Sequence, residues 1–153
     1  MKEFIEYINS IDISTVTLGT KIDITLKAAR KICPEEILDI FISDRVDNEG
    51  SRSYEHLYLF TKTYIIEVAN FSTDPSLSIE LTILKDRVRY VLVKFNEYLE
   101  KASEKSRLAI DCHTDVAHFE FKAAKENCNK LFEVYEKYIR PNISQISIPG
   151  WGL

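Results

Sequence analysis

Glycine and proline are scarce in this chain, four of each, and two of the glycines, Gly150 and Gly152, lie beyond residue 149. That scarcity excludes a collagen-like or low-complexity chain and argues against a Gly-rich phosphate loop. Cysteine is sparse too: Cys33, Cys112 and Cys128 are too few, and odd in number, for a disulfide framework, so a reducing compartment is expected. Neither sign of charge dominates. Twenty Lys and Arg against 24 Asp and Glu leave a net charge of -4, which gives no general footprint for nucleic acid or an anionic bilayer and leaves room only for a local basic patch. Apolar runs such as Tyr90-Val91-Leu92-Val93 stop at four residues, far short of the roughly 18 that a membrane helix requires. The first eight residues carry Glu3 and Glu6 where a secretory leader would be basic. A soluble, cytoplasmic protein is therefore expected, with no nucleic-acid partner and no stable membrane insertion.

What is present is ordinary for one globular domain. The 153 residues are 45% hydrophobic and 29% charged, and a chain of this size buries roughly two-thirds of its unfolded surface without staples. No repeat or linker divides it. The expected organisation is an N-terminal helical appendage over 1–34 that packs on the core, a central domain over 35–141 and an apolar tail over 142–153. Phe4, Ile5, Ile8 and Ile11 recur at spacings of three and four, as do several of Ile24, Leu26, Ala28, Ala29 and Ile32, which predicts two short helices ending before Pro34.

From Glu35 the period becomes two. Leu38, Ile40 and Ile42 alternate with other residues, the turn-forming run 44–51 follows, and residues 54–60 and 64–69 complete three antiparallel strands. Two readings compete over 77–99. Leu77, Ile79, Leu81 and Ile83 alternate as a strand, continued past Lys85-Asp86 by Val88, Tyr90 and Leu92, yet Leu77, Leu81, Leu84, Val88, Val91, Phe95 and Leu99 also fit a helical stripe. The β-branched content favours strands through about Phe95, with a helical turn possible within 96–106. Leu108, Ile110 and Cys112, then Ala117, Phe119 and Phe121, predict a hairpin about His113-Thr114-Asp115. Ala124, Cys128, Leu131, Tyr135 and Tyr138 predict a final amphipathic helix, with Glu126–Lys130 and Glu133–Lys137 pairs on its wet side and Pro141 at its end.

Seven strands followed by one helix resemble the pleckstrin-homology-like superfold, here as a divergent, bacterial-type domain over about residues 35–140. The local likeness lies in His56-Leu57-Tyr58-Leu59-Phe60-Thr61 running into Tyr64-Ile65-Ile66-Glu67, and in Phe119-Glu120-Phe121 through Leu131 to Tyr135. The resemblance implies an α+β fold: a partly open antiparallel barrel closed by the C-terminal helix, here with two short N-terminal helices. It also implies a binding or scaffold role more often than an enzymatic one. Its phosphoinositide-binding version is not expected. Residues 35–56 carry seven acids against Arg45 and Arg52, a net charge of -5 that repels phosphate.

Candidate site residues are few. Lys85, Arg87 and Arg89 form a basic strip around one turn, suited to a carboxylate or phosphate. Tyr58 belongs to an alternating face of Tyr54, His56, Tyr58 and Phe60, which either packs beneath the N-terminal helices or meets a partner. Trp151, the only tryptophan, sits between two glycines in the apolar tail and can plug its own domain or anchor in another chain. Cys112, His113 and His118, with Asp111 and Asp115 nearby, raise a metal reading, but neighbouring strand residues point to opposite faces and no paired ligand motif accompanies them, so no metal is expected. No catalytic constellation or cofactor is expected either. The leading expectation is a non-enzymatic protein- or peptide-binding or scaffold module. The alternative is a small-ligand-binding protein or enzyme with a pocket near His56, Tyr58 and His118.

Overall fold

Apolar residues three and four apart start the chain in two helices, α1 (Ile5–Ser10) and α2 (Val16–Ile32). The computed structural model describes residues 4–13, 16–96 and 106–144. Period-two stretches then form β1 (Asp39–Val46), β2 (Arg52–Phe60), β3 (Tyr64–Val68), β4 (Ile79–Ile83), β5 (Val88–Asn96), β6 (Arg107–Thr114) and β7 (His118–Ala124). A closing helix, α3 (Asn127–Val134), runs on through a π turn (Tyr135–Ile139) and a 3-10 turn (Arg140–Asn142) that contains Pro141. The strands form two antiparallel sheets of order β1-β2-β3-β4 and β5-β6-β7. This is an α+β architecture, a coarse match to pleckstrin-homology-like topology. Both sheets are open, so a barrel describes it only approximately. No helix among the described residues is long and apolar enough to cross a membrane.

The ambiguous middle segment is two strands, and the reversal between them passes through Asp86 at φ 57°. They do not pair with each other. β4 pairs with β3 and β5 with β6, so the chain changes sheet at Lys85-Asp86. The apolar face does not continue unbroken either: a register shift between Val88 and Tyr90 leaves Val88 buried but turns Tyr90 and Leu92 outward. The helical turn expected within 96–106 falls almost wholly outside the described residues.

Two apolar layers hold the fold. In the first, Ile8 and Ile11, with Ile22, Leu26 and Ala29 of α2, cover Ile40, Ile42, Leu57, Leu59, Ile66, Val68 and Phe71 on one face of the first sheet. In the second, Phe41, Tyr58, Phe60 and Ile65 on the opposite face meet Ile110, Cys112, Phe119 and Phe121 of the second sheet and Cys128, Leu131 and Val134 of α3. The N-terminal helices therefore cover the Leu57/Leu59 face, and the Tyr58/Phe60 face lies between the sheets. Large rings pack there: Tyr58 and Phe121 meet edge to face at 4.6 Å, and Phe60 stacks on Tyr138 at 5.1 Å. Tyr54 parts from Tyr58 because the register shift opposite Ile42/Asp44 adds a residue to β2. It turns toward the first layer, and its hydroxyl donates to the Ile11 carbonyl.

Three finer expectations are corrected. The buried stripe of α2 is Ile22, Thr25, Leu26 and Ala29, with Cys33 buried just past its end, whereas Ile24 and Ile32 are exposed. Ile5 of α1 is exposed as well. On α3 the Glu133–Lys137 pair forms at 2.8 Å, but Lys130 turns inward to Asp39 at 2.7 Å and Glu126 reaches Arg52 instead. Arg52, one of the two bases in the acidic 35–56 stretch, has a buried side chain.

Candidate functional site

The β6–β7 hairpin turns at Thr114–Ala117, where the Thr114 amide donates to the Ala117 carbonyl and the Thr114 hydroxyl accepts from the Ala117 amide, both at 2.9 Å. That turn fixes a register that pairs His113 with His118 and Asp111 with Glu120, and β5 adds Tyr90 and Leu92 opposite His113 and Asp111. Because alternate residues share a face, these side chains form rows on the outer side of the second sheet. The first row is a ladder of rings: Tyr90 stacks on His113 at 4.2 Å and His113 on His118 at 4.1 Å, with planes within 15°. The next row holds Leu92, Asp111 and Glu120, and beyond it lie Lys94, Ala109 and Lys122.

Donor atoms of Asp111, His118 and Glu120 all lie within 4.8 Å of one another. His118 Nε2 is 3.9 Å from Asp111 Oδ1, and Lys122 Nζ is 3.9 Å from Glu120 Oε2. Asp111 is half-buried and the other two are exposed. Two carboxylates directly opposed on neighbouring strands repel each other, and here the partners beside them stand beyond hydrogen-bond distance. One imidazole nitrogen and two carboxylate oxygens are a donor set that accepts a divalent cation.

At the far end of the same face, Arg45, Lys94, Arg107 and Lys122 border a notch of about 150 Å³. Arg45 is held by Glu55 at 3.0 Å, and Arg107 donates to the Ser106 carbonyl at 2.8 Å.

The residues singled out from sequence are scattered. Arg87 and Arg89 do come together, on Asp115 of the β6–β7 turn, and the hydrogen bond from Arg89 holds the Asp115 carboxyl below its usual range. Lys85 is exposed at the preceding reversal. Tyr58 is 1% exposed and its hydroxyl donates to the Glu120 carbonyl at 3.3 Å; burial raises its phenol pKa. His56 accepts from the Asn70 amide at 2.9 Å through Nδ1 and its ring meets Tyr58 edge to face at 6.2 Å, while His118 belongs to the ring ladder, so two of the expected three come together and the third stacks elsewhere. Trp151 lies outside the described residues.

The cysteines are packed away. Burial pushes the Cys112 thiol up to about 12 and, as the largest cause, the Cys128 thiol up to about 11. At pH 8 those values leave thiolate fractions of roughly one in ten thousand and one in a thousand. Native protein treated with iodoacetamide at pH 8 is accordingly expected to keep both thiols unmodified, with labelling only after denaturation. Rapid native labelling of either, read by peptide mass, would contradict their burial.

No protein-family model, curated protein or solved structure matches the chain.

Proposed function

We propose that this is a small-ligand-binding protein whose ligand is a divalent transition-metal ion, held on the outer face of the second sheet by Asp111, His118 and Glu120. The convergence of those three donors within 4.8 Å carries the reading. Imidazole with carboxylates suits zinc, nickel, copper or manganese. A cation between Asp111 and Glu120 relieves the repulsion that the register imposes on them. His113, stacked on His118, holds the ligand ring upright. Only one side of the cluster is protein, which leaves coordination positions to water or to an anionic co-ligand. Residues 35–141 serve as the binding domain, a partly open barrel of pleckstrin-homology-like kind, and the N-terminal helices serve as its outer wall.

The test is thermal unfolding with zinc, nickel or copper chloride. At a hundredfold excess over the dissociation constant, a native-state ligand adds about 2.7 kcal/mol, which for a chain of this size raises Tm by roughly 5–10 °C. The shift should vanish in His118→Ala and shrink in Asp111→Asn and Glu120→Gln. No shift with any of the three ions, or an equal shift in His118→Ala, would sink the reading. A protein or peptide partner is the second reading, and the apolar β5 edge of the same sheet is the observation in its favour.

A further inference from the structure

Lysine stands at the same height on both outer strands of the second sheet. The register sets Lys94 of β5 opposite Ala109 of β6, and Ala109 opposite Lys122 of β7, so a single methyl group separates two long basic side chains on one face. Neighbouring strands lie about 4.8 Å apart, which puts the two lysine stems roughly 10 Å from each other across a low floor. Each stem reaches about half that span, so both ammonium groups can meet over Ala109 on one small group between them. The next residue of β6 on that face is Arg107, and Arg45 of β1 borders the same notch, because β1 meets the end of β7 where the Ala124 amide donates to Asp44.

Like charges gathered in this way repel, and the described residues do little to balance them. Four bases and one acid line the notch of about 150 Å³. The acid is Asp44, whose fully buried carboxylate is already taken by Arg52 at 2.6 Å and Asn127 at 2.7 Å. Arg45 is paired through Nε with Glu55 at 3.0 Å and Lys122 stands 3.9 Å from Glu120, while Lys94 and Arg107 meet no carboxylate among the described residues. The acidic stretch 35–56 thus brings to this notch one neutralised acid and one base.

We infer that this notch is a binding site for a phosphate group, free or carried as a monoester on a small molecule. Guanidinium forks and ammonium point charges both suit phosphate oxygens, and a doubly charged anion over Ala109 turns the repulsion among Arg45, Lys94, Arg107 and Lys122 into attraction. The volume equals that of about five waters, room for the phosphate and not for a whole nucleotide, so the remainder of a monoester stays outside. A nucleic-acid backbone is disfavoured, since it needs an extended basic stripe and the chain carries a net charge of -4. The site stands on these bases alone and does not depend on a cation at Asp111, His118 and Glu120, one row away.

Backbone amide chemical shifts of the full chain test this, with EDTA present so that no metal ion contributes and sodium chloride adjusted to hold ionic strength constant. Inorganic phosphate should move the amides of residues 94, 107–109 and 122 along a saturating curve, with a dissociation constant on the order of 1 mM, the strength of several exposed charge contacts acting together. Lys94→Gln and Lys122→Gln should each weaken binding about fivefold, and the unchanged spectrum away from the notch checks that both variants fold. Lys85→Gln, at an exposed base on the reversal between the sheets, should leave the curve as it is. Glycerol phosphate is the second probe: tighter binding than inorganic phosphate assigns the notch to a monoester, and weaker binding assigns it to the free ion. Shifts that never saturate, that sodium chloride alone reproduces, or that persist at full affinity in both lysine variants would overturn the inference.

Discussion

Replacing Arg52 with Met is expected to destabilise the protein by about 3–5 kcal/mol, the range for breaking a buried ion pair from one side, and so to lower Tm by on the order of 10 °C. Its side chain is 8% exposed and that of its partner Asp44 not at all. The guanidinium binds Asp44 at 2.6 Å, Glu126 at 2.7 Å and Asp12 at 3.3 Å. Asp44 in turn accepts from the Ala124 amide at 3.0 Å and the Asn127 amide group at 2.7 Å, while Tyr7 donates to Asn127 at 2.8 Å and accepts from the Ile42 amide at 2.9 Å. One polar knot thus ties α1, both long strands of the first sheet, the end of β7 and the start of α3.

Burial pushes the Asp44 pKa above its ordinary value, and Asn127 and Arg52 act against that push. Without Arg52 the rise should be larger. A carboxyl with a raised native pKa holds its proton better when folded, so stability falls as pH rises through the unfolded value to the folded one. The deficit of Arg52→Met should therefore be smallest near pH 4 and largest at neutral pH. Adding Asp44→Asn, which removes the stranded charge, should recover about 1–3 kcal/mol at neutral pH. Arg45→Met is the control. Its side chain is 69% exposed and, among the described residues, pairs with Glu55, so its loss should stay near 0–1 kcal/mol. Equal losses at Arg45 and Arg52 in chemical denaturation would refute the assignment.

Element type was legible wherever one period dominated. Alternation in 54–60, 64–69 and 117–121 and the stripe of α3 marked strands and helix from burial alone. Facing was less legible, because it depends on register. A one-residue irregularity turns every later side chain to the other face, and the shifts near Ile42/Asp44 and Val88/Tyr90 leave no mark in composition. The Tyr58/Phe60 and Leu57/Leu59 faces were both bulky enough for a core, and pattern alone cannot say which meets a helix and which meets a sheet. The role of Arg52 was hidden for a related reason. Its partners stand 8, 40 and 74 residues away in sequence, so locally it looked like one base in an acidic turn.

The Asp111, His118 and Glu120 cluster was legible in principle. Reading along β6 sets Cys112 beside His113 and rightly places them on opposite faces. Reading across the hairpin, every pair about the 114–117 turn has position numbers summing to 231, which brings His113 to His118 and Asp111 to Glu120. The signal is cross-strand, and a search for ligand spacing within one strand passes over it.

Deleting residues 1–33 is expected to abolish cooperative unfolding rather than merely shift it. The described part of that segment places Ile8, Ile11, Ile22 and Leu26 at 0–1% exposure against the first sheet. Each such side chain contributes about 1.5–3 kcal/mol on burial. The deletion also uncovers Leu57, Leu59, Ile66, Val68 and Phe71 on the face beneath. Against a total stability of about 5–15 kcal/mol for a domain, losing both sides of that layer leaves little margin, and removing Tyr7 opens the polar knot as well. Because a failed deletion can have many causes, single substitutions on α2 make the argument specific. Leu26→Ala on the packed side should cost about 2–5 kcal/mol, whereas Ile24→Ala, at a site 52% exposed, should cost about 0.5 kcal/mol or less. Two residues apart on one helix, the pair have similar apolar volume and opposite facing, so the ratio of their losses measures facing directly. Comparable losses in urea unfolding would mean that α2 does not seat on the Leu57/Leu59 face through the Ile22, Leu26 and Ala29 stripe.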